Sequence, residues 1–302
     1  MQLTAEKFDA LASLVERPPA SADGLVALGM APSIVDRQSA DELAAEHYDV
    51  LIHDMMPVAS VFLEKDSMLG GAVSRQVLSM MDSAGYGPDT SSFSADHLAN
   101  ELRFLGHLFS EKRSDVGGEF VRLHMAAWLP VLRSEWRRAG SDFFGAMERC
   151  LGSLISALPG DSAPSGLAPG RLIESRFDLQ MEKCGLADIG RFLATTPESG
   201  IHISRKRLTE LARSLRLPTG FGSRARQIEG LLRSAGQYDA LNSVCDFLDR
   251  EVDAMMRVWK SEAGNPSGYV ATPGAVYWSE QWQAKLQETN KVVASLREAE
   301  KN

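Results

Sequence analysis

The sequence has few of the residues and motifs from which metal centres and common active sites are built. Its 302 residues include three cysteines, which are far apart and form no C-x-x-C pair. Neither a disulfide framework nor a zinc or iron–sulfur site is therefore indicated. No G-x-x-x-x-G-K-[ST] loop and no G-x-S-x-G elbow occurs, so a P-loop nucleotide site and a nucleophile elbow have no support. We predict no bound metal and no cofactor.

The chain also lacks long apolar runs and an excess of positive charge. No stretch of about 18 apolar residues is present, so we expect no stable membrane insertion. The first residues show no basic segment followed by an apolar one, so we expect no secretory signal. Together with the unpaired cysteines, this favours a cytoplasmic protein. The formal net charge is −8, which argues against general nucleic-acid binding.

Helical periodicity dominates what is present. Ser39-Ala40-Asp41-Glu42 has the S-x-x-E form of a capping box, and an apolar helix face is predicted after it, formed by Ala44, Tyr48, Leu51, Ile52 and Met55. A second helix is predicted after Ser94 or Asp96, either of which can cap it, with a stripe of Leu98, Leu102, Leu105 and Phe109. A third carries Phe120, Leu123, Ala127 and Val131, and places His124 and Trp128 on a shared face.

Turn-forming residues divide the chain. The segment 159–170 is rich in Pro, Gly and Ser and poor in large apolar side chains, which is typical of a linker, although a long loop inside one domain has the same composition. We predict a helical domain over 1–158 and a helical extension over 171–302. In the extension, Ser204 can cap one helix and the segment 217–223 turns the chain into the next. No strand alternation of useful length is visible, so the predicted fold class is all-α.

Three motifs follow one another along residues 40–135. The first is Tyr48-x-x-Leu51 leading to Pro57-Val58-Ala59-Ser60-Val61-Phe62. The second begins at Asp96-His97 and continues through Glu101 and Leu102 to Phe104 and Leu105. The third is F-x-x-x-H-x-x-x-W-x-P, which starts at Phe120 and contains His124, Trp128 and Pro130. In this order and spacing they resemble the TorD/DmsD/NarJ family of redox enzyme maturation chaperones. The resemblance implies a TorD-like helical bundle, here with an additional helical C-terminal extension.

The resemblance also implies a function and a binding site. A member of this family would be a cytoplasmic chaperone, not an enzyme, that binds the twin-arginine leader and the apoprotein of a molybdopterin oxidoreductase and holds it for cofactor insertion before export. The residues expected to bind the peptide are Asp96, His97, Glu101, His124, Trp128, Tyr48, Pro57 and Ser60. Each also has a structural interpretation, as a helix cap, a core residue or a solvated side chain. A homodimer formed by helix exchange is left open.

Local charge is uneven and suits such a partner. Residues 1–66 contain twelve acidic and four basic side chains, a local net charge of −8 that could attract a cationic leader. Residues 200–233 contain eight basic and two acidic side chains, a local net charge of +6. This basic segment is either a set of solvated helix faces or a docking patch. Such a patch would bind the mature client, or the anionic molybdopterin cofactor carried by a partner, and its candidate residues are Arg205, Arg213 and Arg224.

Two other functions remain as alternatives. The first is a helical scaffold or regulatory protein that has this fold but binds no leader. The second is a metal-dependent hydrolase built on His53, Asp54, Asp96 and His97, although two adjacent His/Asp pairs are a poor basis for such a site.

Overall fold

A computed structural model describes residues 4–19, 23–30, 39–159, 171–175, 177–178, 184–218, 220–264 and 272–301. These residues form helices joined by turns, and the all-α prediction is confirmed. Their one β-type pairing is an isolated antiparallel bridge between Val58 and His97. None of the described helices is both long enough and apolar enough to cross a bilayer.

The chain groups into two compact units. The first comprises Met1–Glu64, Met68–Gly170 and Ser261–Trp278, and the second comprises Lys65–Ser67, Arg171–Lys260 and Ser279–Asn302. These units differ from the predicted domains, 1–158 and 171–302, chiefly in the segment 261–278. The domain boundaries remain a prediction, and the linker predicted over 159–170 lies outside the described residues except for Pro159.

The first nine described helices all lie in the first unit: α1 Ala5–Glu16, α2 Asp23–Ala27, α3 Ala40–Tyr48, α4 Ala59–Leu63, α5 Gly71–Ser83, α6 Leu98–Ser110, α7 Ser114–Leu123, α8 Leu129–Ala139 and α9 Asp142–Ser156. A π-helical segment, Asp49–Asp54, follows α3, and a 3-10 turn, Met125–Ala127, follows α7. Helices α1 and α6 approach closely at Gly106, where a Cβ would lie 3.2 Å from the Ala5 carbonyl oxygen. This contact places the N-terminal helix directly against the helix of the second motif.

The C-terminal segment of the first unit is held by buried polar contacts. The Arg133 guanidinium bonds to Glu148 (Nη2–Oε1 2.8 Å) and lies 3.7 Å from a Glu262 carboxylate oxygen. The other oxygen of Glu262 accepts the Thr272 N–H at 2.7 Å. Trp278 donates its indole N–H to the Arg122 carbonyl at 3.1 Å. These contacts explain why residues 261–278 belong to this unit and not to the extension alone.

Five described helices begin in the second unit: α10 Leu186–Ala194, α11 Thr196–Ser199, α12 Arg205–Ser214, α13 Arg224–Gln237 and α14 Leu241–Gly264. The last described helix, α15 Ala275–Lys301, begins in the segment 261–278 of the first unit and continues into the second. A 3-10 turn, Lys65–Ser67, is also grouped here. Helices α10 and α13 meet at Gly190, where a Cβ would lie 2.8 Å from the Ala225 carbonyl oxygen. Trp259 and Trp282 stack with ring centroids 5.5 Å apart.

The capping box at the start of α3 is confirmed, whereas the predicted apolar face is wrong at three of its five positions. Ser39 Oγ accepts the Glu42 N–H, and Glu42 Oε2 accepts the Ser39 N–H at 2.8 Å. Tyr48 and Ile52, together with Ala44, are exposed, whereas the buried face is formed by Leu43, His47, Leu51 and Met55. The buried face includes a histidine, His47, so a search for apolar residues alone selected a neighbouring face. His47 Nε2 donates a hydrogen bond to the Leu14 carbonyl oxygen at 3.0 Å.

Candidate functional site

The first and second motifs meet through their main chains. Ala59 donates its N–H to the Asp96 carbonyl at 2.9 Å, and Leu98 donates to the Pro57 carbonyl at 2.8 Å. The fully buried Asp96 carboxylate accepts the Ser60 N–H at 2.8 Å through Oδ2. Ser60 is equally buried, and its hydroxyl accepts the Gly70 N–H at 2.9 Å. The P-x-x-S segment and the Asp-His pair therefore form one interlocked junction.

The start of α6 differs from the prediction, because neither Ser94 nor Asp96 caps it. His97 is the N-cap, and its Nδ1 accepts the Ala99 N–H at 3.2 Å. Asp96 instead supplies an acceptor to the first turn of α4, where an anionic oxygen is favourable. Burial lowers the pKa of His97 to about 4, so the ring is neutral at pH 7. Since Nδ1 accepts, the ring proton belongs on Nε2.

Glu101 and His124 form a buried pair between α6 and the residue that ends α7. Glu101 Oε1 lies 2.6 Å from His124 Nε2, and the glutamate side chain has no exposed surface. Burial raises the pKa of Glu101, an effect that the nearby histidine opposes and Asp96 reinforces. Glu101 Oε2 and Asp96 Oδ1 have no hydrogen-bond partner among the described residues. Two of the predicted binding carboxylates are thus interior groups.

The third motif does not form the continuous helix that was predicted. Helix α7 ends at Leu123, a 3-10 turn covers Met125–Ala127, and α8 begins at Leu129 with Pro130 in its first turn. Proline lacks an N–H and suits the start of a helix, which explains the break. His124 and Trp128 consequently do not share a helical face. Trp128 is fully buried and stacks on Phe62, with ring centroids 5.4 Å apart.

An open cleft of about 620 Å³ lies beside the Asp96-His97 junction. We call it the α1–α6 cleft, and it is lined by Glu16, Arg17, Tyr86, Gly87, Asp89, Ser92, Phe93, Asn100 and Arg103. Phe93 connects the cleft to the buried junction, because its ring stacks on His97 at a centroid distance of 4.2 Å. Asn100 Nδ2 lies 2.9 Å from the Ser94 carbonyl oxygen and 3.2 Å from that of Phe93. Buried residues of the second motif therefore hold one wall of the cleft.

The charged residues that line the cleft are two acidic side chains, Glu16 and Asp89, and two basic ones, Arg17 and Arg103. Glu16 is engaged by Arg103 through Nη1 at 2.5 Å and Nη2 at 2.8 Å, and Arg103 Nε lies 3.3 Å from Asp9. The bond from Arg103 lowers the pKa of Glu16. Asp89 is exposed, and hydrogen bonds from Ser91 lower its pKa. Glu16 is thus neutralised by Arg103, and Asp89 is the exposed carboxylate that the cleft offers next to the rings of Tyr86 and Phe93.

The structure brings together six of the eight predicted peptide-binding residues, but it places them inside the protein. Asp96, His97, Glu101, His124, Ser60 and Pro57 surround or adjoin the junction and are buried. Trp128 lies in the core, and Tyr48 is exposed and contacts His53, with ring centroids 4.4 Å apart. The surface residues of the cleft were not predicted, although Asn100 and Arg103 lie within the quoted second motif. Direct peptide contact by the eight residues remains a prediction.

The other predicted sites are divided in the same way between surface and interior. Arg205 and Arg213 are exposed, whereas Arg224 is half-buried, donates to the Ala194 carbonyl at 2.6 Å and lies against the His202 ring.

Among the described residues, no group of three or more His, Cys, Asp or Glu side chains could hold a metal ion. His53 lies at the surface near Asp49, whereas Asp96 is buried at the junction. The hydrolase alternative therefore gains no support.

Comparisons with known proteins concern this same part of the chain. Residues 10–134 match the model of a family described as nitrate reductase delta subunit. Proteins named chaperone protein TorD from Vibrio vulnificus strains YJ016 and CMCP6 are each 31% identical to the chain over 140 residues. We call residues 10–134 the TorD/NarJ region because they are similar to these proteins. No solved structure matches the chain.

The match covers part of this chain and part of each TorD relative. The aligned region takes up 41% of this chain and 64% of the length of each TorD relative. Within the chain, the TorD/NarJ region contains every lining residue of the α1–α6 cleft and all the residues of the buried junction. The basic segment 200–233 lies outside it.

Proposed function

We propose that this protein is a redox enzyme maturation chaperone that binds its client non-covalently and catalyses no reaction. In the finer form of the proposal, it acts in the cytoplasm on a molybdopterin oxidoreductase. It binds the twin-arginine leader and the apoprotein, and holds them for cofactor insertion before export. The observation that carries the proposal is the α1–α6 cleft, a surface inside the TorD/NarJ region that places the exposed carboxylate of Asp89 beside the rings of Tyr86 and Phe93.

The cleft suits a leader peptide because it combines two kinds of contact. A guanidinium group can bond to a carboxylate in a bidentate, charge-assisted manner, and Asp89 offers such a carboxylate at the surface. Tyr86 and Phe93 offer apolar ring faces to the hydrophobic part of a leader. The volume of about 620 Å³ is large enough for a few side chains, so the cleft would hold a short segment of the peptide.

The buried motif residues would then act by positioning the cleft. Asn100 donates hydrogen bonds to the carbonyls of Phe93 and Ser94, and the His97 ring stacks on the Phe93 ring. Asp96 fixes the junction from which α6 starts. Substituting these residues would weaken peptide binding through a displaced wall, without the loss of a direct contact.

Calorimetry with a synthetic twin-arginine leader tests the proposal. Asp89→Asn should weaken binding roughly tenfold, since a charge-assisted hydrogen bond contributes about 1.5–3 kcal/mol. Phe93→Ala should weaken it by a similar factor. Asp82→Asn is the matched control, because Asp82 is an exposed carboxylate of α5 that does not line the cleft. A leader with both arginines replaced by glutamine should bind far more weakly.

Binding that is unaffected by Asp89→Asn and Phe93→Ala would move the site elsewhere. Absence of any leader binding would favour the alternative, a helical scaffold or regulatory protein. Co-purification from the native cell followed by mass spectrometry separates the two: a molybdoenzyme subunit supports the chaperone, and a different set of partners supports the scaffold.

A further inference from the structure

The loop between α12 and α13 presents a large apolar side chain to solvent. Phe221 is 94% exposed, more than any other large hydrophobic side chain among the described residues. It lies between Gly220 and Gly222, and Gly222 adopts a positive φ of 100°. Phenylalanine is usually buried in folded proteins, so its display at a loop apex indicates a contact made with something outside the chain.

Described residues on both sides of Phe221 are held to the neighbouring helices. On its N-terminal side, Leu217 is buried and donates its N–H to the Ala212 carbonyl at 2.8 Å. On its C-terminal side, the Gly220 carbonyl accepts from the Gln227 amide at 3.4 Å, and Ser223 caps α13. Leu217, Gly220 and Ser223 are therefore anchored to the helices, and the exposed Phe221 lies between them in the chain.

Cationic side chains surround this apex in the chain. Arg213 and Arg216 lie just before the loop, and Arg226 lies just after it. Arg213 is exposed. Arg226 forms an ion pair with Glu229, which also pairs with Arg233. For Arg213 and Arg216, no acidic partner occurs among the described residues. The half-buried Arg224, the first residue of α13, adds a further positive charge close to the loop in the chain. The basic segment 200–233 keeps a local net charge of +6 in a chain whose total is −8.

We propose that this surface, the Phe221 apex with Arg213, Arg216 and Arg226, binds a bilayer that contains anionic phospholipids. The ring would enter the interfacial region, and the guanidinium groups would pair with headgroup phosphates. A single convex apolar apex among cations suits insertion between lipids. A protein partner would require a broader contact, since stable protein interfaces bury at least about 1,000 Å² around a packed apolar centre. The contact is peripheral, and it does not depend on the function proposed for the α1–α6 cleft.

Sedimentation of the full chain with vesicles tests this inference. We expect binding to vesicles of equal parts phosphatidylcholine and phosphatidylglycerol, little binding to phosphatidylcholine alone, and weakening by salt. Phe221→Ala should lower the partition coefficient by about tenfold or more, because burial of a phenyl side chain is lost. Arg213→Gln with Arg216→Gln should lower it by about tenfold or more, at roughly fivefold for each cation near an anionic surface. Tyr238→Ala is the control, since Tyr238 is a 66% exposed aromatic residue outside the loop.

A fluorescence measurement reports insertion directly. All five native tryptophans are at most 4% exposed, so a Phe221→Trp variant would add the one solvent-facing indole. Its emission should shift to shorter wavelength on anionic vesicles and be quenched by lipids brominated on their acyl chains. Circular dichroism of each variant checks that the fold is retained.

The proposal fails if no chain, wild type included, binds the anionic vesicles, and a client protein then becomes the partner for this surface. It also fails if Phe221→Ala binds as well as wild type. Finally, it fails if brominated lipids do not quench the added indole of the Phe221→Trp variant, because the apex then stays outside the bilayer.

Discussion

Replacing His124 by alanine tests whether the buried Glu101 carboxylate depends on its partner. Glu101 has no exposed surface, one of its oxygens lies 2.6 Å from the histidine ring, and the other has no hydrogen-bond partner among the described residues. Removing one member of such a buried pair costs about 3–5 kcal/mol. Because whole domains are stable by about 5–15 kcal/mol, the variant should unfold at a much lower denaturant concentration.

The loss should depend on pH in a defined direction. Burial raises the pKa of Glu101 and His124 opposes that rise, so the pKa increases further without the histidine. A carboxyl group whose pKa is raised in the folded state contributes stability that is fully present below its unfolded pKa, about 4.3. That contribution is lost as pH rises through the folded pKa. The deficit of His124→Ala should therefore be smaller at about pH 5 than at about pH 8.

Urea unfolding of three variants at these two pH values provides the measurement. His124→Ala should be the least stable, and Glu101→Gln should lose about 1 kcal/mol because an uncharged amide replaces the carboxylate. Adding Glu101→Gln to His124→Ala should restore part of the lost free energy, since the unpaired charge is removed. The reasoning is refuted if the double variant is less stable than His124→Ala alone, or if the deficit is equal at both pH values.

Three further predictions follow from other contacts. Asp96→Ala should lower the free energy of unfolding by about 1–2 kcal/mol through loss of the acceptor for the Ser60 N–H, a loss that chemical denaturation measures and that would be absent if the contact were incidental. The pKa of His97 falls from 6.5 to about 4 on folding, so protein stability should decrease as pH is lowered from about 6.5 to about 4, by up to roughly 3 kcal/mol. His97→Asn should flatten that part of the pH profile, and an unchanged slope would contradict the assignment. Gly190→Ala should destabilise the protein by about 1–3 kcal/mol because its Cβ would lie 2.8 Å from the Ala225 carbonyl oxygen. Gly230→Ala, which meets no atom within 4 Å, should instead stabilise it by about 0.5–1 kcal/mol, and thermal melts that place both variants on the same side of wild type would count against this.

Local sequence signals predicted the helices well where side chains act on nearby backbone. The Ser39–Glu42 capping box is present, and Ser204 caps α12 by accepting the Arg207 N–H at 3.3 Å. The signals failed where a polar residue is buried by distant contacts. His47 occupies an apolar stripe because α1 offers it the Leu14 carbonyl, a partner 33 residues away that no local pattern contains.

The candidate site was predicted only in part for the same reason. The motif residues do converge on one place, but the sequence could not show that Asp96 caps α4 instead of its own helix, or that Glu101 pairs with His124 across 23 residues. The cleft surface comes from three segments: α1, the loop that follows α5, and α6. Tertiary packing brings these segments together. Spacing along one helix could not reveal it.

The buried network around Arg133 limits how the TorD/NarJ region can be studied in isolation. A protein truncated after residue 170 would lack Glu262, Thr272 and Trp278, which are all grouped with the first unit. The Arg133 guanidinium would lose its neighbouring Glu262 carboxylate and its bond to the Thr272 hydroxyl, and the Arg122 carbonyl would lose its indole donor. The segment 261–278 is therefore part of what stabilises the family region, and excising that region at the predicted linker should yield a poorly folded fragment.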